Sequence, residues 1–124
     1  MTDEELLARA DGVAGRAYAP YSEFEVGCAV LTRDGRVIEG VNVENAAYPL
    51  GVCAERTTFS RAIAEGYRPG DFSVAAITAS PCGGCRQWLA EMGVERVVFR
   101  NGGRVVRMTV DELLPEQFDA GDLA

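Results

Sequence analysis

Two cysteines separated by two glycines, Cys82 and Cys85, lie in "ASPCGGCRQ" at 79–87. A third, Cys53, stands two residues ahead of Glu55, and a fourth, Cys28, falls within "VGCAV". A Cys-x-x-Cys pair serves as a redox dithiol, as half of a structural zinc cage, or as two ligands of a catalytic metal. At i and i+3 of a helix the two thiols share a face and can grip one ion. Cys53 supplies a third sulfur, and three protein ligands plus water is the pattern of catalytic zinc. Glu55 is then a candidate general base, provided that first-turn side chains converge on an ion ahead of the helix. A redox role lacks thioredoxin-like surroundings before the motif. A closed four-cysteine cage needs Cys28, whose apolar neighbours read better as a core strand holding a small buried thiol. Spacing alone leaves all three chemistries open.

Composition narrows them. The 124 residues include no histidine, and all twelve basic residues are arginine. Ser-His-Asp and Cys-His nucleophilic sites are excluded, with imidazole-ligated zinc, Schiff-base lysines and the P-loop lysine. Any metal must be held by cysteine, aspartate or glutamate. A net charge of −7 argues against a nucleic-acid surface. Arg96, Arg100, Arg104 and Arg107 read as the solvent face of a strand pair. No apolar run approaches the roughly 20 residues of a membrane span, and the acidic start "MTDEELLARA" is unlike a targeting peptide. A cytoplasmic protein is expected, in which four cysteines point to metal or catalysis rather than disulfides. The length suits one domain, 1–124.

The elements that must position these residues follow from period and punctuation. Thr2 and Glu5 form a capping box that opens a helix with apolar positions Leu6, Leu7, Ala10, Val13, Ala14 and Ala17. "FEVGCAVLT" (24–32) and "RVIEGVNV" (36–43) read as strands joined by Asp34-Gly35. Residues 53–65 read as a helix stopped by Gly66, and "FSVAAITA" (72–79) as a strand buried on both faces. Ser80 as N-cap and Pro81 as first helical residue start the next helix, which Gly93 ends. "ERVVF" (95–99) and "RVVRMTV" (104–110) are strands around Asn101-Gly102-Gly103, and a short helix begins near Asp111 and stops at Pro115. The β-β-α-β-α-β-β order predicts one mixed sheet with helices on its faces. Both thiol-bearing segments thus open helices, whose free N–H groups and partial positive charge stabilise thiolates. Three thiolates on Zn²⁺ leave a charge of −1, which Arg56 and the helix dipoles are placed to offset.

"NVENAAYPLGVCAER" (42–56) and "SPCGGCRQ" (80–87) resemble the two signature blocks of small zinc-dependent cytidine deaminases, in the version whose first ligand is cysteine. "APYSEFEVG" (19–27) and "ELLPEQF" (112–118) match the same family, so the likeness runs over nearly the whole chain. The resemblance implies a three-layer α/β/α fold with a mixed sheet of about five strands. It implies one Zn²⁺ per subunit on Cys53, Cys82 and Cys85, with Arg56 neutralising the thiolates. Glu55 would take a proton from zinc-bound water, so that hydroxide attacks C4 of the pyrimidine, and then deliver protons to N3 and the leaving amine. Asn42 and Glu44 would bind the ribose hydroxyls, Phe24 would line the base pocket, and the Ala54 backbone N–H would meet the base carbonyl. The expected reaction is hydrolysis of cytidine and 2′-deoxycytidine to uridine and 2′-deoxyuridine, in pyrimidine salvage. The family also implies a homotetramer with shared active sites, with Tyr48 and Phe118 at or near a subunit boundary. One alternative keeps the chemistry but takes a modified nucleoside such as blasticidin S; another is a non-enzymatic zinc-binding domain with a closed four-cysteine site. The stretch from Asp71 into Cys82 is shorter than the family pattern, with no loop between strand and Ser80, which bears on the pocket wall beside the metal.

Overall fold

The apolar run Phe72–Ile77 forms the strand, β3, around which the other elements are arranged. A computed structural model describes residues 1–124. Along the chain run α1 (Asp3–Ala14), β1 (Gly27–Thr32), β2 (Val37–Val41), α2 (Ala54–Ala64), β3 (Phe72–Ile77), α3 (Gly83–Met92), β4 (Arg96–Asn101), β5 (Arg104–Met108) and α4 (Val110–Leu113). Short 3-10 turns at Tyr48–Leu50 and Ala120–Leu123 complete the chain. The sheet order is β2-β1-β3-β4-β5. β1 is antiparallel to β2 and β3, β3 is parallel to β4, and β4 is antiparallel to β5. The sheet is therefore mixed and five-stranded, as the element order predicts.

Alternation along the strands divides the apolar residues between two layers of helix. On one face Leu6, Leu7 and Ala10 of α1 pack against Ala29, Val74, Ala76 and Val98. On the other, Phe59 of α2, Leu89 of α3 and Leu113 of α4 pack against Val30, Ala75, Val97 and Phe99. Both faces of β3 are covered, which explains its unbroken apolar composition. Cys28 pairs with Ile77 across β1 and β3 and is fully buried in the larger core. Gly35 turns the first hairpin at φ +90°. Gly40 lets β2 lie against α2: a Cβ there would stand 2.3 Å from Thr58 Oγ1 and 2.8 Å from its backbone N.

Several boundaries differ from the sequence reading: α1 ends at Ala14, short of Ala17, β3 ends at Ile77 rather than Ala79, and β4 runs from Arg96 to Asn101 rather than over 95–99. β1 starts at Gly27 rather than Phe24, because the Asn42 side chain substitutes for a strand neighbour: its Oδ1 accepts from Val26 N (2.8 Å) and its Nδ2 donates to Phe24 O (2.8 Å). β2 correspondingly ends at Val41, and Val43 makes only isolated bridges to Tyr18 and Val52. α3 starts with Cys82, not Ser80, as N-cap. The Cys82 carbonyl accepts the first helical bond from Arg86 N, whereas the Pro81 carbonyl is taken by Arg86 Nε at 2.9 Å. A five-residue connection, 78–82, thus separates β3 from α3 where no loop was expected. Finally, Thr109 caps α4 in a capping box with Glu112, which ends β5 at Met108. Arg96, Arg100, Arg104 and Arg107 are exposed as expected, and three of them, Arg96, Arg100 and Arg107, pair with Asp3, Asp11 and Glu4 of α1.

Candidate active site

Two helix starts bring the reactive side chains together. Cys53 is the N-cap of α2 and Cys82 the N-cap of α3, both in extended conformation, and Cys85 is the third residue of α3. N-cap side chains project ahead of the helix end, and an N3 side chain flanks it. The Sγ atoms of Cys53, Cys82 and Cys85 accordingly lie within 4.8 Å of one another. Four-coordinate metal–sulfur bonds of about 2.3 Å put sulfurs about 3.8 Å apart, so the three thiols fit a single ion with small side-chain adjustments. Three sulfur donors favour a soft divalent ion. Cys28 is outside the cluster and locked in the core, so a four-cysteine cage has no fourth ligand.

The thiols already share charge. Hydrogen bonding by Cys85 brings Cys53 down to about 6, with smaller help from Cys82 and the Arg56 charge, against burial that opposes it. Cys85, as donor in that pair and buried in the protein, is pushed up. Glu55 is 3% exposed, and its burial raises its carboxyl to about 7. Its own backbone N–H opposes the shift, and the Cys53 charge reinforces it. A carboxyl poised there exists in both protonation states at neutral pH.

These groups open into a cavity of about 250 Å³. Phe24, Asn42, Glu44, Ala54, Glu55, Cys53, Cys82 and Cys85 all line it, so eight of the residues singled out by sequence converge on one space. Ala79 and Ser80, from the short connection after β3, form a wall beside the thiols. Asn42 spends one amide hydrogen and one oxygen lone pair on the Phe24–Val26 backbone and keeps a second hydrogen for a ligand. Ala54 is the first residue of α2, where an N–H has no partner within the helix.

Sequence reasoning assigned no role to Ser22. Its Oγ donates to Glu44 Oε2 and accepts from Phe24 N at 3.0 Å, while Glu44 Oε1 accepts from Tyr21 N and Ser22 N. These bonds, the Ser22 hydroxyl foremost, hold the Glu44 carboxyl below its usual range. The only available signal was the position of Ser22 two residues ahead of Phe24 in "PYSEF".

Three singled-out residues lie off this cavity. Arg56 follows Cys53 by three positions on α2; its guanidinium carbon is 5.8 Å from the Trp88 ring centroid, and its buried Nε has no hydrogen-bond partner. Tyr48, 74% exposed, stacks edge-on with Tyr21 beside a neighbouring cavity of about 370 Å³ that shares Ser22 and Glu44 with the first. Phe118, 57% exposed, is anchored to α3 through its carbonyl, which accepts from Gln87 Nε2 at 2.7 Å.

Known proteins resemble this chain over nearly its full length. Residues 1–101 match the family model described as the cytidine and deoxycytidylate deaminase zinc-binding region. A cytidine deaminase of Sporosarcina psychrophila is 41% identical, over 100% of this chain and 96% of its own. One from Halalkalibacterium halodurans is 42% identical, over 99% and 98%. The crystal structure of a Burkholderia pseudomallei cytidine deaminase, 44% identical, superposes with a TM-score of 0.89 over 95% of this chain and 100% of that one.

Proposed function

The chain belongs to the cytidine and deoxycytidylate deaminase family, and we propose that it hydrolyses the amino group of cytidine and 2′-deoxycytidine, yielding uridine or 2′-deoxyuridine and ammonia. The observation that carries this reading is the convergence of three thiols and a buried glutamate on one cavity. Zinc is the ion that suits three thiolates in a reaction without redox change; when bound, it acts as a Lewis acid that lowers the pKa of water. Cys53, Cys82 and Cys85 hold it, and Arg56 offsets their negative charge.

Glu55 moves the protons. It takes one from the attacking water and delivers it to N3, then takes a second from the hydroxyl newly bonded to C4 and delivers it to the departing amine, which requires both of its protonation states. Its raised pKa, caused chiefly by burial, supports that role. The Ala54 N–H binds the base carbonyl, Phe24 packs on the base, and Asn42 and Glu44 bind sugar hydroxyls. These polar groups discriminate a nucleoside from a free base, because a missing hydroxyl leaves them covered and unpaired in the complex. Ser22 and the Tyr21 N–H keep Glu44 ionised and oriented for that contact.

Residues 1–124 form one domain in this reading, and copies assemble as a homotetramer with shared active sites, Tyr48 and Phe118 lying at or near a subunit boundary. Four free cysteines suit a reducing, cytoplasmic setting and a salvage role there. No helix is long and apolar enough to cross a membrane.

The decisive measurement is an ultraviolet assay of cytidine and deoxycytidine on zinc-loaded protein, with Glu55→Gln alongside. Turnover by the wild type, and its loss by about 10²–10⁴-fold in a variant that still retains zinc, is expected. Two inert nucleosides on zinc-loaded wild type would sink the proposal.

A further inference from the structure

We propose that Trp88 is a positioning residue whose indole face fixes the Arg56 guanidinium beside the three thiols, where its charge tightens their hold on a metal. The inference rests on the metal-binding reading given above. Arg56 follows Cys53 by three positions on α2, and Trp88 follows Cys85 by three on α3. Residues so spaced share a helix face, so each side chain continues the face that presents a thiol. They meet where α2 and α3 touch, with the guanidinium carbon 5.8 Å from the ring centroid, within cation–π range.

How Arg56 is held matters more than that it is held. Arg33, Arg61 and Arg96 are each paired with a carboxylate, which cancels their charge. Arg56 has no such partner, and its buried Nε bonds to nothing. An aromatic face orients a cation by its quadrupole without carrying a neutralising net charge. Trp88 therefore restrains the guanidinium while leaving its full charge to act on the thiolates. Trp88 also packs against the larger core, so a purely space-filling role is the competing account.

A double-mutant cycle separates the two. Zinc affinity is measured by competition with a chromophoric chelator in wild type, Arg56→Gln, Trp88→Leu and the double variant. Trp88→Leu is expected to weaken zinc binding about 3- to 10-fold when Arg56 is present, and by less than about twofold when it is replaced. Trp88→Phe, which keeps an aromatic face, should stay within about twofold of wild type. Equal losses in both Arg56 backgrounds assign Trp88 to packing and overturn the proposal. Wild-type affinity in Arg56→Gln removes the charge-compensating role of Arg56 and this inference with it, leaving the thiol site intact. Absence of zinc binding by the wild type instead defeats the site reading itself. If Trp88→Leu does not fold, the emission of Trp88, the chain's one tryptophan, decides. In folded, metal-free protein it must change on Arg56→Gln, and unchanged emission overturns the contact.

Discussion

Cys28 and Cys85 are both buried thiols, yet only one is placed to bind an ion, and the difference lies in what surrounds each. Cys28 sits near the start of β1 with its thiol pushed up by burial, by the nearby Glu55 charge next, and relieved only by Thr58. Cys85 sits at a helix start, within reach of two other sulfurs. Cys28→Ala is therefore expected to keep bound zinc and turnover while costing about 1 kcal/mol of stability through the small cavity it leaves. Metal content by atomic absorption and a thermal melt check both halves; loss of the metal would revive the four-cysteine cage. The thiols and Glu55 were legible in sequence because their chemistry is carried by residue type and spacing. Ser22 and Trp88 were not, because each acts through another side chain: Ser22 through Glu44 and Trp88 through Arg56. Such contacts bridge segments far apart in the chain and leave no local pattern.

Elements were legible to the extent that their boundaries are set locally. The capping box at Thr2 and Glu5, the Asp34-Gly35 turn and the apolar run of β3 each determined an element without distant help. The starts of β1 and α3 were misjudged because side chains of Asn42 and Arg86 take backbone groups that a regular ladder or helix would use. The docking of α1 was likewise invisible. Asp3 on its first turn is bound by Arg96 and Arg107, which hold its carboxyl below the ordinary 3.8, Arg96 the more strongly. A depressed folded-state pKa contributes stability above the unfolded value and loses it as pH falls through the folded one. Asp3→Asn should lower the melting temperature at pH 7, and the gap to wild type should close as pH falls below 3.8. A gap that persists unchanged in acid would mean that the arginines contribute nothing through charge.

For the molecule as a whole, the sheet order and layers followed from the succession of elements, whereas assembly depends on surface that no pattern within one chain records. Tyr18, Tyr21, Phe24, Tyr48, Leu50 and Phe118 are exposed. Tyr21, Phe24 and Tyr48 line the two adjoining cavities, an apolar rim that favours coverage by a second copy. Sedimentation is expected to give four times the 13.3 kDa of one chain, and Tyr48→Ala to weaken assembly and kcat/KM together. A fully active monomer in dilute solution would remove the shared-site reading. One contrast among the helices extends beyond catalysis. α1 and α4 begin with complete capping boxes, whereas α2 and α3 have no side-chain cap at all, their N-cap positions being held by Cys53 and Cys82. Candidate metal ligands stand where caps would, so an ion joining the two helix starts would also close two ends that otherwise fray. With zinc as that ion, the cell's zinc supply would govern how long a newly made chain escapes proteolysis, as well as how fast it turns over substrate.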